Sequence, residues 1–326
     1  MIMKDKYNRE INYIRVSITD RCNLRCRYCM PMGAVERTSQ EQVLSFDEIV
    51  RVLKSCVSVG IRDVKITGGE PLVRKDVPKL ISMIKDIGGI GKVTLTTNGI
   101  LLYDRIDELY RAGLDGINIS LDTLNREKYK EITGFDMLNE VLKSMEACKK
   151  YEDLNIKLNV VTLNKYNRDE VLDFAQLAKN SKIDVRFIEM MPMGLGKTFE
   201  GYSQQEIMDR LEAEFGRLNP VSDRRGSGPA VYYEIPGFIG KIGFISAISH
   251  KFCKDCNRIR LTAQGLLKPC LQYQSGIDMR RILREETDDQ LLPAIERALG
   301  AKPRQHSFGS QSIEDREEKY MSEIGG

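Results

Sequence analysis

The sequence predicts an α/β protein built as an open barrel of six βα units, similar to an incomplete TIM barrel, with a C-terminal α+β extension that closes the open side. Three observations lead to this fold class. Six short β-like runs alternate with amphipathic helical patterns, as in parallel βα repeats. Six units are two fewer than the eight of a closed barrel. Further short β-like runs and helical patterns follow residue 195.

The predicted elements follow one another along the chain. The six strands are expected at 13–19, 62–67, 92–97, 116–122, 155–161 and 184–189. The helices between them are expected near 47–59, 76–87, 102–112, 138–151 and 167–180. After them come a helix near 203–215, β-hairpin runs near 231–235, 238–245 and 258–263, and helices near 276–285 and 290–300. We expect a barrel domain over 1–195 and a C-terminal domain over 196–326, with a mobile polar tail from Lys302.

The predicted strands alternate apolar and polar residues, although parallel strands that are buried on both faces usually read as continuous apolar runs. Side chains alternate faces along a strand, so we expect the polar set to line the barrel interior. Its cations are Arg15, Lys65, Lys157 and Arg186, and its acids are Asp63, Asp122 and Asp184. Unpaired buried cations are costly, so the acids should pair with some of them and a polyanionic ligand with the rest. A half-exposed antiparallel sheet would alternate in the same way, but the intervening helices argue against it.

A cysteine loop near the N-terminus carries the strongest chemical signal. Cys22, Cys26 and Cys29 have the spacing Cys-x3-Cys-x2-Cys. Three thiolates can hold three irons of a four-iron, four-sulfur cluster and leave the fourth iron open to bind another molecule. A disulfide framework does not suit an odd number of cysteines on one loop. Zinc would need a fourth ligand, and no histidine lies within 200 residues in sequence, so the iron–sulfur interpretation is favoured.

A second cysteine triplet lies in the C-terminal half, where Cys253, Cys256 and Cys270 have the spacing Cys-x2-Cys-x13-Cys. It could hold another open cluster, or zinc with His250 as the fourth ligand. From the spacing alone both remain open. The two other cysteines, Cys56 and Cys148, continue apolar helical stripes and are predicted to be core residues.

Composition excludes several function classes. The 326 residues carry a net charge of only +3, so bulk charge does not indicate binding to nucleic acid or to a membrane surface. No apolar run reaches 18 residues, and the N-terminus lacks an apolar signal core. Eight cysteines without such a signal indicate metal ligation in a reducing cytoplasm. Two histidines leave little for a hydrolase based on histidine acid–base chemistry.

Two motifs together resemble the radical S-adenosylmethionine (SAM) superfamily. The cysteine loop has an aromatic residue, Tyr28, just before its third cysteine, and Gly68-Gly69-Glu70-Pro71 follows the second predicted strand. Alone, the second motif would be only a turn between a strand and a helix. The resemblance implies that SAM binds the open iron and that Gly69 and Glu70 hold its methionine amino group. One electron passed to the sulfonium would then release a 5′-deoxyadenosyl radical.

The two cysteine triplets and the Gly325-Gly326 ending resemble one subfamily, the GTP 3′,8-cyclase family, over about 15–326. This resemblance implies a radical SAM lyase that makes (8S)-3′,8-cyclo-7,8-dihydroguanosine 5′-triphosphate, the first step of molybdenum cofactor biosynthesis. It implies two four-iron, four-sulfur clusters, the second with an open iron that faces the GTP base. The implied SAM contacts are Tyr28, Gly69, Ser120 and Met191. The implied GTP contacts are Arg15, Lys65, Thr96, Lys157, Arg186, Arg258, Ile259 and Arg260.

The resemblance also implies partners. They are the substrate GTP, an electron donor such as a flavodoxin or ferredoxin, and cyclic pyranopterin monophosphate synthase as the recipient of the product, with a cytoplasmic monomer or homodimer. Without the resemblance, Arg258 and Arg260 could belong to an exposed strand edge. Two other function classes remain open: a radical SAM enzyme that modifies a peptide, and a non-enzymatic metal-binding redox regulator. The first would predict an acidic or apolar groove, and the second would not need the Gly-Gly-Glu-Pro segment.

Overall fold

The computed structural model of the chain describes residues 3–31, 33, 38–222, 225–308 and 316–325. The strands within these ranges form one sheet in the order β12-β11-β10-β1-β2-β3-β4-β5-β6-β9-β8-β7. Its strands are β1 Tyr13–Ser17, β2 Asp63–Thr67, β3 Lys92–Thr97, β4 Gly116–Ser120, β5 Asn155–Val161, β6 Asp184–Ile188, β7 Asn219–Pro220, β8 Val231–Glu234, β9 Ile242–Ile245, β10 Arg258–Leu261, β11 Leu266–Lys268 and β12 Ile277–Asp278. The α/β class is therefore confirmed, and the sheet is not closed.

The six central strands pair in parallel and in sequence order. The register places Arg15 opposite Lys65 and Asn159 opposite Arg186, so polar residues line up across neighbouring strands. The alternative of an antiparallel sheet is wrong for this part of the chain. Strands β1, β4 and β6 end one or two residues before the predicted limits.

Helices connect the strands and cover the apolar face of the sheet. They are α1 Phe46–Ser58, α2 Val77–Lys85, α3 Ile106–Arg111, α4 Arg126–Thr133, α5 Leu138–Cys148, α6 Asn164–Asn167, α7 Val171–Lys179, α8 Gln204–Phe215, α9 Met279–Glu285, α10 Leu291–Gly300 and α11 Met321–Ile324. Helix α4 was not predicted. Its N-cap, Asn125, accepts hydrogen bonds from the backbone N–H groups of Glu127 and Lys128, and Gly134 ends it with φ +81°.

The C-terminal strands extend the sheet at both edges. Strand β10 pairs in parallel with β1, and β9 pairs in parallel with β6. The antiparallel β8–β9 and β10–β11 pairs confirm the predicted hairpins, although two of their strands also continue the central sheet. The division into 1–195 and 196–326 stays a prediction, since strands from both parts share this sheet.

The core lies between the apolar face of the sheet and the helices. Ile14, Val64, Leu95 and Ile117 are fully buried on that face, as are Cys56 and Cys148 on the helices that pack against it. The core placement of these two cysteines is confirmed. Within the described ranges, the helices are too short or too polar to cross a membrane.

The prediction of a mobile tail from Lys302 is wrong for 302–308 and 316–325. Lys302, His306, Glu317 and Ile324 are all buried. Glu317 forms a buried ion pair with Lys268 on β11, and its backbone N–H donates to the carbonyl oxygen of Gln272 at 2.6 Å. Buried polar bonds hold this segment, and a polar sequence with no apolar period does not reveal them.

Candidate active site

Both cysteine triplets line one pocket of about 340 Å³ on the polar face of the sheet. Polar residues from each of the six central strands line this pocket, among them Arg15, Lys65, Thr96, Asn118, Asn159 and Arg186. Predicted site residues that line this pocket are Arg15, Tyr28, Lys65, Gly69, Thr96, Ser120, Arg186, Met191, Arg258 and Arg260. Three others do not: Lys157 lines an adjoining cavity of about 300 Å³ that also reaches Lys65 and Arg186, while Glu70 and Ile259 are buried behind the pocket wall.

The first cysteine loop follows β1 and is held by the end of α4. The backbone N–H of Arg25 donates to the Thr133 carbonyl oxygen at 2.9 Å, and that of Arg27 donates to Ile132 at 3.0 Å. A turn closes the loop, where the N–H of Cys29 donates to the Cys26 carbonyl at 2.9 Å. Burial raises the pKa of the Cys22 thiol to about 11 and that of Cys29 to about 12. These bonds fix the backbone, so the three thiols face one pocket.

The Gly-Gly-Glu-Pro segment follows β2 and packs directly against this loop. The Gly69 N–H donates to the Thr19 carbonyl oxygen at 2.7 Å, and the Glu70 N–H donates to Arg21 at 2.8 Å. A Cβ atom at Gly69 would lie 2.4 Å from the Arg21 carbonyl oxygen. Any larger residue at this position would displace the cysteine loop. The close packing therefore explains why this position is a glycine.

Glu70 is buried and bonded within the protein. One carboxylate oxygen accepts from the Leu72 N–H at 2.9 Å and the Thr97 hydroxyl at 2.8 Å, and the other accepts from the Asn98 N–H at 2.7 Å. Burial raises its pKa to about 7, although these three donors oppose the shift. The arrangement joins the ends of β2 and β3 beside the cysteine loop.

Tyr28, in the first cysteine loop, is held by residues at the ends of β4 and β5. Its hydroxyl donates to Asp122 just beyond β4 at 2.6 Å, and the other Asp122 oxygen accepts from the Val161 N–H at 2.8 Å. Burial raises the pKa of Asp122 to about 6, while both hydrogen bonds oppose that rise. The loop between Cys26 and Cys29 is thereby tied to two strand ends.

Within the described ranges, each of the three acids expected to neutralise the lumen cations bonds to another partner. Asp184 pairs with Arg225 at 3.1 Å, Asp63 accepts from Ser227, and Asp122 accepts from Tyr28. The negative charge of Asp184 also acts to raise the pKa of Lys157, which supports an acid–cation interaction for this pair, while the other expected pairs stay a prediction.

Burial and the neighbouring positive charges lower the pKa values of two lumen lysines. Burial, and then Arg186 and Arg15, lower the pKa of Lys65 well below its usual range. Burial, followed by Arg186, lowers the pKa of Lys157 to about 7. This group of lumen cations favours an anionic ligand, because a bound anion would offset the repulsion between the cations.

The second triplet lies across the pocket from the first. His250, the candidate zinc ligand, is exposed and its ring nitrogen Nδ1 hydrogen-bonds the Ser249 hydroxyl at 3.1 Å. The zinc interpretation with His250 is not supported by this placement, because His250 does not line the pocket. The other histidine, His306, does line it, and its backbone N–H donates to the Cys253 sulfur at 3.4 Å. The histidine that is near Cys253 in sequence is therefore not the one that lines the pocket.

The side-chain positions bear on both metal hypotheses for the second triplet, an iron–sulfur cluster and zinc. Burial raises the pKa of Cys256, but the charges of Lys302 and Arg258 outweigh it and lower the value to about 6. Among the described residues, no three or more His, Cys, Asp or Glu side chains are grouped to hold a single metal ion. The metal hypotheses therefore depend on the cysteine pattern and the shared pocket.

The C-terminal tail reaches the same pocket. Met321 and Ser322 line it, and the Gly325 carbonyl oxygen accepts a hydrogen bond from Arg260. The tail therefore approaches the site at Gly325, while Gly326 lies outside the described residues. Sequence reasoning did not identify Lys302 and His306 as residues that support the site. It identified Asp122 as a lumen acid but not as the hydrogen-bond partner of Tyr28.

Comparisons with known proteins identify the superfamily. The model of the radical SAM superfamily matches residues 16–178, and the Molybdenum Cofactor Synthesis C model matches residues 183–308. The structure of Streptococcus suis SuiB bound to precursor peptide SuiA has a TM-score of 0.63 at 14% identity, over 89% of this chain and 68% of that chain, which shows a shared fold. The chain is a radical SAM enzyme and belongs to that superfamily.

Curated relatives identify the family more narrowly. A GTP 3′,8-cyclase from Clostridium perfringens (strain 13 / Type A) is 46% identical over 325 residues, which cover 99% of this chain and 100% of the relative. A GTP 3′,8-cyclase from Heliobacterium modesticaldum is 47% identical over 328 residues, with the same coverage. The chain belongs to the GTP 3′,8-cyclase family.

Proposed function

We propose that this chain converts GTP to (8S)-3′,8-cyclo-7,8-dihydroguanosine 5′-triphosphate, as the first step of molybdenum cofactor biosynthesis. One observation carries the proposal: two cysteine triplets and a set of partly or fully buried cations line the same pocket. The cysteines match the needs of radical chemistry, and the cations match a triphosphate. Family membership supports the same substrate, because the relatives are GTP 3′,8-cyclases.

The first triplet fits a four-iron, four-sulfur cluster with an open iron. Cys22, Cys26 and Cys29 supply three thiols from one loop, and Gly69 leaves the close backbone approach that the loop needs. When bound, the reduced cluster supplies the electron that splits SAM into methionine and a 5′-deoxyadenosyl radical. We assign Tyr28, Gly69, Ser120 and Met191 to SAM contacts. Glu70 acts from behind the wall, since protein donors already occupy both of its oxygens.

The cations are proposed to bind the triphosphate. Arg15, Lys65 and Arg186 lie on one polar face, and Lys65 and Arg186 reach both cavities. A triphosphate that extends between the cavities would also meet Lys157. Arginines can fork onto phosphate oxygens, and lysines act as point charges. Thr96 supplies a neutral polar contact between them on β3.

The second triplet is proposed to hold another four-iron, four-sulfur cluster beside the guanine base. Cys253, Cys256 and Cys270 supply its thiols. Arg258 and Arg260 face the pocket from β10, whereas the buried Ile259 supports that strand from behind. Alternate residues of a strand point to opposite faces, which explains this division.

The overall reaction balances with two electrons and one proton. One electron would be used to cleave SAM, which would accept the hydrogen atom of ribose C3′ in its deoxyadenosyl part. Formation of the bond between C3′ and C8 of guanine would then need a second electron and a proton to complete the reduced base. We assign a flavodoxin or ferredoxin as the one-electron donor and cyclic pyranopterin monophosphate synthase as the recipient. The protein residues bind and orient the reactants and exclude side reactions.

We further propose that the six βα units curve into an open barrel over 1–195. The part at 196–326 would then cover the open side and carry the second triplet. Support comes from the shared pocket, since polar positions on β1, β4 and β6 all reach it. A solution scattering profile would test the curvature, because an extended flat sheet of twelve strands would give a larger radius of gyration.

The function is tested anaerobically with reconstituted protein, SAM, a reductant and either GTP or ATP. We expect about eight irons per chain and an altered nucleotide, detected by mass spectrometry, only with GTP. About four irons with 5′-deoxyadenosine but unaltered GTP would keep the radical enzyme and discard the proposed substrate.

Variants extend this test to the assigned residues. Arg258→Ala and Arg260→Ala should each weaken GTP binding about 10-fold or more, since a charge-assisted hydrogen bond contributes about 1.5–3 kcal/mol. Arg126→Ala serves as the control, because this exposed arginine pairs with Asp136 away from the pocket. Cys270→Ala should remove about four irons and leave SAM cleavage uncoupled from the nucleotide. Wild-type GTP affinity in both arginine variants would refute their assignment.

A further inference from the structure

Lys302 is a buried cation at the second cysteine triplet that the proposed reaction does not use. Its side chain is 2% exposed and lies just after the end of α10. The ammonium donates to the Arg258 carbonyl oxygen at 2.7 Å and to the Pro269 carbonyl oxygen at 2.8 Å. It also lies within hydrogen-bonding reach of the Cys256 sulfur. One side chain therefore contacts both segments that carry Cys256 and Cys270.

The residues that follow Lys302 make further contacts with the triplet. Arg9 donates to the Cys253 carbonyl oxygen at 2.8 Å, and also to the carbonyl oxygens of Pro303 at 2.7 Å and Arg304 at 3.1 Å. The backbone N–H of His306 points to the Cys253 sulfur. We call residues 302–306 the triplet clasp. The triplet clasp therefore contacts the segments of all three cysteines.

These contacts have a physical consequence for the triplet. Cys256 precedes β10, and Cys270 follows β11, so the two thiols sit on separate segments of the chain. A lysine ammonium has three donors, and Lys302 can direct them to two carbonyl oxygens and one sulfur. Its positive charge also opposes the negative charge that three thiolates would bring into a buried site. Removal of the ammonium would leave two carbonyl oxygens without these donors and the segments without their common bond.

We propose that Lys302 is a positioning residue that holds Cys256 and Cys270 together, and so determines how firmly the second triplet retains its metal group. The identity of that group rests on the proposed function, but the positioning of the thiols does not. Residues that support metal ligands from outside typically change metal affinity about 10- to 100-fold when replaced. Lys302 is expected to act at that level.

The test compares Lys302→Met, Lys302→Arg and the control Lys128→Met. The side chain of Lys128 pairs with Asp169 and Glu170, away from the second triplet, so this variant reports the loss of a lysine in general. In metal-free, reduced protein, alkylation by iodoacetamide is mapped on each cysteine. The rates are compared on the plateau at high pH, where these thiols are ionised, because loss of the Lys302 charge raises the pKa of Cys256 and by itself would slow its alkylation at neutral pH. On that plateau we expect Cys256 and Cys270 to react several-fold faster in Lys302→Met, while Cys56 stays protected in every variant.

A second readout is the release of iron to a chelator after reconstitution with iron and sulfide. Lys302→Met should release about four irons at least about 10-fold faster than the wild type, with Lys302→Arg in between. Wild-type alkylation and wild-type iron release in Lys302→Met would overturn the proposal. If the wild type holds only about four irons, the second cluster fails, and the alkylation result alone decides the role of Lys302.

A variant that does not fold would expose Cys56 as well. In that case Lys302→Gln replaces Lys302→Met, because its amide can still donate to one carbonyl oxygen. Faster alkylation confined to the triplet supports the positioning role. Equal rates with the wild type contradict it.

Discussion

The guanidinium of Arg260 donates a hydrogen bond of 2.8 Å to the backbone carbonyl oxygen of Gly325, so β10 and the C-terminal tail meet inside the pocket. Gly325 has φ +75°, and a Cβ atom there would lie 2.7 Å from the Cβ atom of Ser17. This close contact requires a glycine. Placement of the tail therefore depends on residues that are remote from one another in sequence.

Glu317 is expected to hold this tail in place. Its carboxylate faces the fully buried Lys268, and removal of one partner of a buried pair typically costs about 3–5 kcal/mol. Glu317→Gln should lower the free energy of unfolding and accelerate amide hydrogen exchange in 316–325. The control is Glu234→Gln, whose pairing with Lys241 is at the surface and contributes at most about 1 kcal/mol. Unchanged exchange in the tail would contradict the role of Glu317.

Lys157 should couple the binding of an anionic ligand to proton uptake. Burial lowers its pKa to about 7, so at pH 8 it is largely neutral in the free protein. A bound triphosphate would restore the positive charge of Lys157, so binding should be accompanied by the uptake of roughly one proton by the protein. The affinity for GTP should therefore fall as the pH rises from about 7 to 9. Calorimetry at pH 8 in buffers of different ionisation enthalpy measures the uptake.

Lys157→Met is the matched variant for this measurement. It should reduce the uptake by roughly one proton, while Lys65, whose pKa is also lowered, continues to contribute. Without a ligand, the same shift predicts that the free energy of unfolding rises between about pH 7 and 10, because the unfolded chain binds more protons there. An uptake identical in the variant and the wild type would show that Lys157 does not meet the ligand.

Gly69 offers a test with an internal control. A methyl group at Gly69 would collide with backbone atoms of Arg21 and Asp20, whereas one at Gly88 would meet nothing within 4 Å. Gly69→Ala should destabilise the protein by about 1–3 kcal/mol through overpacking and reduce the iron held by the first triplet. Gly88→Ala should stay within about 0.5 kcal/mol of the wild type. Equal iron content in both variants would rule out a tight fit at Gly69.

Asn98 should influence the first cluster through a weak hydrogen bond. Its side-chain N–H group donates to Asn23 at 2.8 Å and lies 3.9 Å from the Cys22 sulfur, while its oxygen accepts from the Ile100 N–H. Hydrogen bonds to cluster sulfurs stabilise the reduced form. Asn98→Ala should therefore shift the reduction potential to more negative values, as measured by a titration followed with electron paramagnetic resonance. A shift to more positive values would contradict this effect.

The sequence predicts the parallel sheet well because its signals are local. Apolar and polar residues alternate in each run, and the helices between the runs leave only parallel pairing. The six-strand order and the shared polar face follow from this pattern. Helix α4 was missed because only Tyr129, Ile132 and Thr133 of its eight residues are buried, which gives a weak apolar period. Its N-cap, Asn125, was the available signal.

Long-range polar contacts account for the remaining errors. Asp184 forms an ion pair with Arg225, which was not predicted, and His306 rather than His250 reaches the second triplet. In each case the partners are distant in sequence, and no periodic pattern indicates that they meet. Lys302 and Glu317 were assigned to a mobile tail for the same reason, although both are buried in the folded chain.

The pairing of β1 with β10 affects how the chain folds during synthesis. Tyr13 lies opposite Arg258 in this pair, although 245 residues separate them. At about 5–20 residues per second, a ribosome needs roughly 12–49 s to make the intervening chain. During that time the nascent β1 has an uncovered edge, which is a site for pairing with other chains. Protection of this edge by chaperones would therefore matter most before residue 261 leaves the ribosome.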